Sequence, residues 1–310
     1  MTNKIIGIQG DNLDKINISS DTSIFLAHEG QKLGYKIFYY TPSNLSIIKN
    51  KTYASGVFVK FNYERKKFYK IYKKQKIDVE NLKFILIRQD PPFNSEYLIT
   101  TLILDGLKKV KVINDPTAIR NVSEKLYSKR FTKYMPNTLF SNNIEEIKKF
   151  YEQNKNMIMK PINGYGGNQI HLIKNKFDKK LIINFLNKNG HSMFQKFLKN
   201  ISKGDKRVFI INGKVKGAIR RLPKKNSILS NISQGGTALK TNLNSRELKI
   251  SKLVARRLKK SKIFFAGIDL VGGYLIGDIN VTSPTGLPQY KKLTGINLAK
   301  DFWNEIEKLK

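Results

Sequence analysis

The sequence predicts an α/β protein that begins with a doubly wound sheet. Three features of the first 120 residues support this fold class. Short apolar runs typical of buried strands recur along the stretch, helical patterns lie between them, and polar residues follow the strands. Strands that alternate with helices are the pattern of a parallel sheet with helices on its faces.

The strands predicted in this first unit are KIIGIQG (4–10), YKIFYY (35–40), KFILIRQD (83–90) and VKVINDP (110–116). Helical patterns lie between them over about 21–33 and in SEYLITTLILDGL (95–107). Ligands of such sheets bind beyond the carboxyl ends of the strands, so we expect the polar strand ends to face one cleft. The lysine- and aromatic-rich segment 49–76 has weaker periodicity, and we interpret it as a hairpin plus an exposed helix.

A second unit follows that has the size of a small nucleotide-covering module. It contains a helix in EKLYSKRF (124–131), the glycine-rich stretch MIMKPINGYGGNQI (157–170), a helix over about 178–189 and the run SMFQKFL (192–198). The third unit contains two hairpin-like pairs, and a loop and a helix over about 245–260 separate them. We therefore predict three structural units, 1–120, 121–198 and 199–310.

The strong positive charge of the chain raises nucleic acid as a partner. The sequence has 58 Lys and Arg against 23 Asp and Glu, a formal charge of +35, and neutralisation of phosphates is the main sequence-independent term in nucleic-acid binding. The lysines are nevertheless spread along the whole chain, and no zinc-finger spacing or RNP-like aromatic motif accompanies them. We interpret them as solvated surface and do not expect nucleic acid as a partner.

Cysteine usage and hydropathy bear on the compartment. The absence of cysteine excludes disulfides, thiolate metal sites and a cysteine nucleophile. No apolar run reaches the roughly 18 residues needed to cross a bilayer, and the N-terminus begins as a strand without a signal-peptide region. We expect a cytoplasmic protein with no membrane partner.

Several common catalytic and nucleotide motifs are absent. There is no HExxH pair, and His28, His171 and His191 lie too far apart in sequence to form a local metal motif. Neither GxxxxGK[ST] nor GxGxxG occurs. A nucleotide site in this chain therefore needs a different phosphate-binding device.

The glycine-rich stretch at 157–170 can supply such a device. A buried-type strand delivers Lys160, and Gly164, Gly166 and Gly167 then permit a tight turn before the chain returns as IHLI. Glycines let backbone N–H groups approach an anion closely, and a lysine on the strand adds a point charge. An ordinary turn is the alternative interpretation, and the residues further along the chain are needed to distinguish it from a phosphate-binding turn.

A pair of carboxylates near the C-terminal end predicts a metal site. Asp269 and Asp278 lie in adjacent strand-like runs, and Asn280 follows Asp278 by two residues, which places both on one face of a strand. Two carboxylates and an amide oxygen are the ligands that Mg²⁺ prefers. A polar hairpin with turn-forming residues is the alternative interpretation.

The order of these features resembles the ATP-grasp enzymes, and specific strings resemble the prokaryotic glutathione synthetase family over essentially the full chain. The strings are RQDPPFN (88–94), INDP (113–116), EKLYSKRF (124–131), MIMKPINGYGG (157–167), GDKRV (204–208) and INVTSPTG (279–286). The resemblance implies a doubly wound pre-ATP-grasp domain followed by a two-lobed ATP-grasp fold. It also implies a ligase that transfers the ATP γ-phosphoryl group to a carboxylate, giving an acyl phosphate that an amine converts to an amide.

The resemblance assigns a role to many residues of the chain. ATP would contact Lys125 and Lys160, the flap Gly164, Tyr165, Gly166 and Gly167, the adenine segment Gln195, Lys196, Phe197 and Leu198, and Asp205 at the ribose. Asp269, Asp278 and Asn280 would hold Mg²⁺ or Mn²⁺, and Arg207 and Arg221 would act on phosphate or carboxylate oxygens. The acid, which is γ-glutamylcysteine in this family, would contact Arg88, Asp90, Gly235, Gly236, Ser283, Pro284 and Thr285.

Three positions depart from the family pattern. Leu229 occupies a loop position where the family usually has arginine, Asp278 replaces the usual glutamate, and Leu287-Pro288-Gln289 replaces Ile-Arg-Glu. Three hypotheses therefore stay open. They are a glutathione synthase that joins γ-glutamylcysteine and glycine, an ATP-grasp ligase for another acid and amine such as a peptide or protein amino-acid ligase, and a non-catalytic, nucleic-acid-binding relative. The family also implies a homo-oligomer.

Overall fold

The computed structural model describes residues 4–65, 67–225, 227 and 229–309. These residues form three β-sheets with helices packed on their faces, which confirms the predicted α/β class. No helix in this described part is long and apolar enough to cross a membrane. The unit boundaries at 120 and 198 remain predictions.

The N-terminal sheet has seven strands and a parallel centre. Its strands are β1 (Ile5–Gln9), β2 (Lys36–Tyr40), β3 (Leu45–Ile48), β4 (Lys51–Phe61), β5 (Tyr69–Asp78), β6 (Phe84–Ile87) and β7 (Lys111–Ile113), and its helices are α1 (Thr22–Lys32), α2 (Ser95–Leu104) and α3 (Pro116–Asn121). β1 pairs in parallel with β2 and β6, and β6 pairs in parallel with β7. The predicted strand, helix, strand order is confirmed.

Strand β6 shows why this sheet is covered on both faces. Its sequence is FILI, and all four side chains are buried. Successive side chains of a strand point to opposite faces, so Phe84 and Leu86 join the core that contains α1, and Ile85 and Ile87 join the core that contains α2. Each buried aliphatic side chain contributes about 1.5 to 3 kcal/mol. An uninterrupted apolar run is therefore stable only as a central strand.

The segment 49–76 is a hairpin, and the exposed helix predicted there is wrong. β4 pairs with β5 in antiparallel register from Tyr53 opposite Asp78 to Phe61 opposite Tyr69. The other edge of β4 pairs with β3 and β2. The lysines of YKIYKKQKID are mostly exposed on β5, and the backbone hydrogen bonds to β4 hold them in extended structure whatever their helix propensity.

The middle sheet is antiparallel, with the order β10, β9, β11, β8. Its elements are β8 (Thr138–Ser141), α4 (Ile144–Asn154), β9 (Met157–Pro161), β10 (His171–Ile173), α5 (Lys179–Asn189) and β11 (Ser192–Lys196). Helices α4 and α5 pack together on one face over Met157, Met159 and Phe194. The opposite face of the middle sheet is free of these helices and faces the cleft described below.

The helix predicted in EKLYSKRF is a 3-10 helix over Leu126–Tyr134 and not an α-helix. Ser128 Oγ donates a hydrogen bond to the carbonyl of Lys125. Serine side chains that bond a neighbouring carbonyl compete with the α-helical ladder. The tighter helix leaves Glu124 and Lys125 in front of it, beside the C-terminal sheet.

The C-terminal sheet is antiparallel, with the order β14, β13, β12, β15, β16. Its elements are β12 (Asp205–Ile211), β13 (Lys214–Leu222), β14 (Thr237–Lys240), α6 (Ser245–Lys260), β15 (Phe265–Val271), β16 (Tyr274–Asn280), α7 (Leu287–Thr294) and α8 (Leu298–Ile306). Both predicted hairpins are present as β12–β13 and β15–β16. Helix α6 begins where predicted because Asn244 and Glu247 form a reciprocal capping box.

Helix α8 joins the C-terminal sheet to the N-terminal sheet. Trp303 is fully buried, stacks on Tyr35, and donates its Nε1–H to the Leu26 carbonyl at 2.9 Å. The neighbouring Phe302 packs edge-on against Phe265 of β15. One apolar core therefore spans both sheets and includes the last helix of the chain.

Candidate nucleotide and metal site

A cleft lies between the middle sheet and the C-terminal sheet. The space within it is about 890 Å³, which includes open solvent at its mouth. Every residue that the resemblance assigns to ATP or to the metal lines it. These residues are Lys125, Lys160, Gly164, Tyr165, Gly166, Gly167, Gln195, Lys196, Phe197, Leu198, Asp205, Asp269, Asp278 and Asn280.

The turn after β9 covers one side of this cleft. Lys125 Nζ donates to the Gly164 carbonyl, and the Gly164 amide donates to the Pro161 carbonyl at 3.2 Å. Gly167 has a φ of +82°, and a Cβ atom there would lie 2.9 Å from Asn231 Oδ1. Only glycine fits such a backbone without strain. The predicted flap is thus a turn whose conformation and neighbours both require glycine.

Two buried lysines meet one carboxylate on the floor of the cleft. Lys160 Nζ lies 3.2 Å from Asp278 Oδ2, and Lys125 Nζ lies 3.5 Å from Asp278 Oδ1. Burial alone would raise the pKa of Asp278, but Lys160 and Lys125 offset it and hold that pKa below its usual value. The carboxylate therefore stays ionised, with two cations beside it that can face phosphate oxygens.

Behind the cleft, four charged side chains form two cross-strand pairs. Asp205 and Arg207 share one face of β12, and the strand register sets Arg221 opposite Asp205 and Asp269 opposite Arg207. Arg207 binds Asp269 through Nε at 2.5 Å and Nη2 at 2.9 Å. Arg221 binds Asp205 at 2.8 and 2.5 Å, and its Nη2 also lies 3.0 Å from Asp269. We call these four residues the charge quartet.

The quartet fixes the ionisation of Asp269. Burial would raise the pKa of this carboxyl, but Arg207 and Arg221 outweigh it and hold the pKa well below its ordinary value. Both guanidinium groups are buried behind the carboxylates that line the cleft. The direct contact with phosphate or acid that we predict for Arg207 and Arg221 remains a prediction.

Asp269, Asp278 and Asn280 are suited to a hard divalent cation. The β15–β16 register shifts between Ile268 and Leu270, beside Asp269. Asn280 Nδ2 donates to the Gly267 carbonyl at 3.3 Å, which leaves the amide oxygen as an acceptor. Within the described residues no cluster of three His, Cys, Asp or Glu forms a metal centre, so a cation here would take two carboxylates, an amide oxygen and oxygens of the nucleotide.

The segment 195–198, which we predict to lie against adenine, begins in the last two residues of strand β11. The amides of Lys196 and Phe197 donate to the carbonyls of Asn137 at 2.9 Å and Asn156 at 3.0 Å. Gln195 Nε2 donates to Thr138 Oγ1 at 2.8 Å. These bonds hold the segment in place beneath the cleft, and they commit two of its amides to the protein.

The sequence analysis missed the apolar lining of the cleft. Ile158 lies two residues before Lys160 on β9, Ile276 lies two residues before Asp278 on β16, and Val271 lies two residues after Asp269 on β15, and all three line the cleft. Residues i and i+2 share a strand face. Because side chains on a strand alternate with a period of two residues, the positions two residues from the predicted polar side chains could have been identified from the sequence.

The residues predicted to bind the acid lie in two places. Arg88 is buried between the sheets, where Nε donates to Ser23 Oγ and Nη2 donates to the Pro284 carbonyl, both at 3.0 Å. Ser283 Oγ donates to the Arg88 carbonyl at 3.2 Å. Asp90 is exposed beside them, and its amide donates to Asp11 Oδ2 at 2.9 Å. Thr285 is exposed on the following turn.

The second place is the loop between Leu222 and Thr237, which is described except at residues 226 and 228. Gly235 and Gly236 close its end, and their amides donate to the carbonyls of Ile232 and Asn231. Gln234 Nε2 donates to Oδ1 of Asn168, the residue that follows the flap, at 3.1 Å. Leu229, which stands where the family usually has arginine, lines the nucleotide cleft. This loop therefore lies against the flap.

We expect stability to depend on pH through Asp21, which caps helix α1 near Arg88. Burial raises its pKa to about 6, against the hydrogen bond from the Ile24 amide and the charge of Arg88. Between pH 4 and 6 the folded protein holds a proton that the unfolded chain has lost, so this group makes stability fall as pH rises. Asp21→Asn tests this effect, because asparagine can still cap the helix but cannot ionise. Relative to wild type, the free energy of unfolding of the variant should rise by about 2 to 3 kcal/mol between pH 4 and 7, as measured by unfolding in urea. A difference that does not change with pH would contradict it.

Comparison with known proteins identifies the family. The model of the prokaryotic glutathione synthetase N-terminal domain matches residues 5–120, and the model of its ATP-grasp domain matches residues 124–295. The glutathione synthetase of Mesorhizobium japonicum is 34% identical over 306 residues, 97% of each chain. The glutathione synthetase of Vibrio parahaemolyticus is 32% identical over 309 residues, 98% of each chain.

Solved structures agree on the fold at much lower identity. The D-cycloserine synthetase DcsG has a TM-score of 0.68 at 12% identity and covers 99% of this chain and 100% of its own. The D-alanyl-alanine synthetase A of Vibrio cholerae has a TM-score of 0.61 at 14% identity, over 98% of this chain and 97% of its own. The predicted ATP-grasp fold is confirmed, and the two domain matches with the full-length relatives show that this chain belongs to the prokaryotic glutathione synthetase family.

Proposed function

We propose that this chain is an ATP-dependent ligase that joins the carboxylate of γ-glutamylcysteine to the amine of glycine. The family supports the substrates, because full-length relatives at about one-third identity carry the name glutathione synthetase. The observation that carries the chemistry is the pair Lys125 and Lys160 on either side of Asp278, beneath a glycine flap. This arrangement suits the transfer of a phosphoryl group and the charge it develops.

The residues of the cleft have separate tasks in the proposed reaction. Lys125 and Lys160 hold the phosphates in line with the acid, and the flap at Gly164–Gly167 excludes water from them. Asp269, Asp278 and Asn280 would hold Mg²⁺ or Mn²⁺, which when bound neutralises charge on the phosphate oxygens. The charge quartet keeps Asp269 ionised and in position for this role.

The loop that contains Gly235 and Gly236 would close over the acid. Acyl phosphates hydrolyse readily, so a lid protects the intermediate until the amine arrives. The hydrogen bond from Gln234 to Asn168 supports this proposal because it joins the loop to the residue that follows the flap. Arg88, Asp90, Ser283, Pro284 and Thr285 would contact the acid on the N-terminal side.

We also propose a cytoplasmic homo-oligomer. ATP and amino acids as substrates favour the cytoplasm. The apolar residues Leu98, Ile99 and Leu102 on α2 are 38%, 45% and 53% exposed, and apolar groups exposed together on one helix favour contact with another chain. Sedimentation of the purified protein would test the assembly, and a monomer at all concentrations would contradict it.

Phosphate release from ATP tests the reaction directly. With magnesium present, release should require γ-glutamylcysteine and glycine together, because the acid makes the acyl phosphate and the amine completes the turnover. Mass spectrometry should find the tripeptide in amounts equal to the phosphate. Equal release with an unrelated acid and amine would remove this proposal.

A ligase for another acid and amine is the second candidate. The observation that favours it is Leu229, an apolar side chain that lines the cleft where the family resemblance leads us to expect arginine. A panel of acids with glycine, and of amines with γ-glutamylcysteine, would distinguish the two candidates. The preferred pair is the one with the highest kcat/KM.

A further inference from the structure

A second cavity adjoins the nucleotide cleft, and none of its own side chains has a role in the reaction so far. It lies between the N-terminal sheet and the flap and encloses about 1190 Å³, including solvent at its mouth. Its lining includes Phe93 and Leu98, Ile119 and Arg120, and Ile162, which lies two residues before the flap. A cavity between two domains beside a nucleotide is a usual position for a second substrate.

The two cavities meet at Glu124 and Gly164. Among the described residues, these are the only two that line both. Lys125, next to Glu124, bonds the Gly164 carbonyl and lies 3.5 Å from Asp278. A molecule in the second cavity would therefore lie beside the proposed phosphate site, with Glu124 and Gly164 between them.

Glu124 is held by one of its carboxylate oxygens. Oε1 accepts from the Val281 amide at 3.0 Å, the Thr282 amide at 3.2 Å and the Thr282 hydroxyl at 2.8 Å. The described residues donate no hydrogen bond to Oε2. The three bonds fix the orientation of the carboxylate, and its second oxygen remains an acceptor at the junction of the cavities.

The sign of the charge at this junction decides which substrate can use it. A carboxylate such as Glu124 repels the carboxylate of the acid and attracts an ammonium group. Arg120, on the wall of the same cavity, donates Nη2 to Asp105 and Thr117, while its buried Nη1 has no partner among the described residues. A cavity with an anion at its inner end and a guanidinium on its wall is complementary to an amino-acid zwitterion.

We propose that the second cavity binds the amine substrate as an amino-acid zwitterion, with its ammonium at Glu124 and its carboxylate at Arg120. The proposal rests on the proposed ligase function and adds a site and a proton acceptor to it. One ammonium proton passes to Glu124 Oε2, and the nitrogen lone pair then attacks the acyl carbon. The bond from that carbon to the phosphate oxygen breaks, and the phosphate leaves with the electron pair and accepts the second nitrogen proton. Glu124 returns its proton to solvent.

Glu124→Gln tests the proton acceptor. The amide keeps an oxygen for the three bonds from Val281 and Thr282 but removes the negative charge. With glycine, turnover should fall at least about 100-fold, within the usual range for loss of a general base. With hydroxylamine, which is already uncharged at neutral pH, hydroxamate should form from ATP and γ-glutamylcysteine at close to the wild-type rate.

The pH dependence of the rate with glycine distinguishes a proton acceptor at Glu124 from a purely structural role of this residue, which would not change it. In Glu124→Gln the rate with glycine should rise about tenfold for each pH unit, because only glycine that has already lost its proton reacts. The wild-type rate should rise less steeply. An equal loss with glycine and hydroxylamine, or no loss with either, would overturn the role of Glu124.

Arg120→Met tests the other end of the cavity. The variant should raise KM for glycine about tenfold or more, because it removes a charged hydrogen bond to the carboxylate of the substrate. It should leave the hydroxylamine rate unchanged and abolish the preference of the wild type for glycine over glycinamide, which has no carboxylate. A retained preference, or a loss of hydroxylamine activity as well, would overturn the assignment of Arg120. Wild-type protein that forms no hydroxamate from γ-glutamylcysteine would instead disprove the proposed function.

Discussion

Asp278→Asn is expected to lower ligase turnover by about 1000-fold or more while the protein stays folded. The change removes a charged oxygen from the proposed metal site and the anion between Lys125 and Lys160, and loss of one electrostatic contact at a transition state costs about 100- to 1000-fold. Folding should survive, because the Lys160 and Lys125 ammonium groups also donate to the carbonyls of Ile276 and Gly164. Initial rates of phosphate release, with circular dichroism of the same samples, would measure both.

The matched control for this variant is Asp301→Asn. Asp301 pairs with Lys216 at 2.7 Å on the surface of the C-terminal region and is 36% exposed. The substitution is chemically the same, but an exposed pair contributes little. The control should therefore keep wild-type activity and stability. Asp278→Asn with more than a tenth of wild-type turnover would show that the cation is held elsewhere.

Arg221→Met is expected to lower the free energy of unfolding by about 3 to 5 kcal/mol. The change removes one cation from the charge quartet and leaves Asp205 and part of Asp269 without their partner in a buried position, and a buried charge without a partner carries a penalty of that size. Denaturation in urea at neutral pH would measure it. Lys214→Ala is the control, since Lys214 is 59% exposed in its pair with Glu305, and should cost less than about 1 kcal/mol.

The same variant should show a defined pH dependence. Asp269 has a lowered pKa in the folded protein, so its contribution to stability is present above the ordinary carboxyl pKa near 4 and is lost as pH falls through the lower folded value. In Arg221→Met the carboxylate of Asp269 loses one of its two cations and protonates at higher pH than in wild type. The difference between wild type and variant should therefore shrink as pH falls, and a constant difference would indicate lost packing instead of lost charge.

The sequence predicts the cleft well because its parts are local. Gly164, Gly166 and Gly167 mark the flap through their spacing, and Asp278 and Asn280 share a face because strand side chains alternate. The N-terminal sheet is equally clear, since uninterrupted runs such as FILI are stable only where both faces are covered. These signals need a few neighbouring residues and no knowledge of the rest of the fold.

The remaining features depend on contacts that are distant in sequence. The helix predicted within segment 49–76 is absent because β4 and β5 pair along this segment, and the sequence of one strand does not reveal its partner. The charge quartet joins residues from three strands, and no local pattern shows that Arg207 and Arg221 would be buried behind Asp269 and Asp205. Glu124 gives no signal beyond its place before Lys125, because its role depends on a turn more than 150 residues later.

The core shared by the two end regions of the chain affects how the protein is made. During synthesis the N-terminal sheet emerges first, but one of its faces is covered by Trp303 and Phe302 of α8, which are translated nearly 200 residues after the last strand of that sheet. Until α8 has been made, this face exposes apolar groups such as Tyr35 and Leu26. Nascent chains with such exposed surfaces are prone to aggregate. The first region should therefore depend on chaperones until α8 emerges, and chains truncated before α8 should be insoluble even though they contain the complete N-terminal sheet.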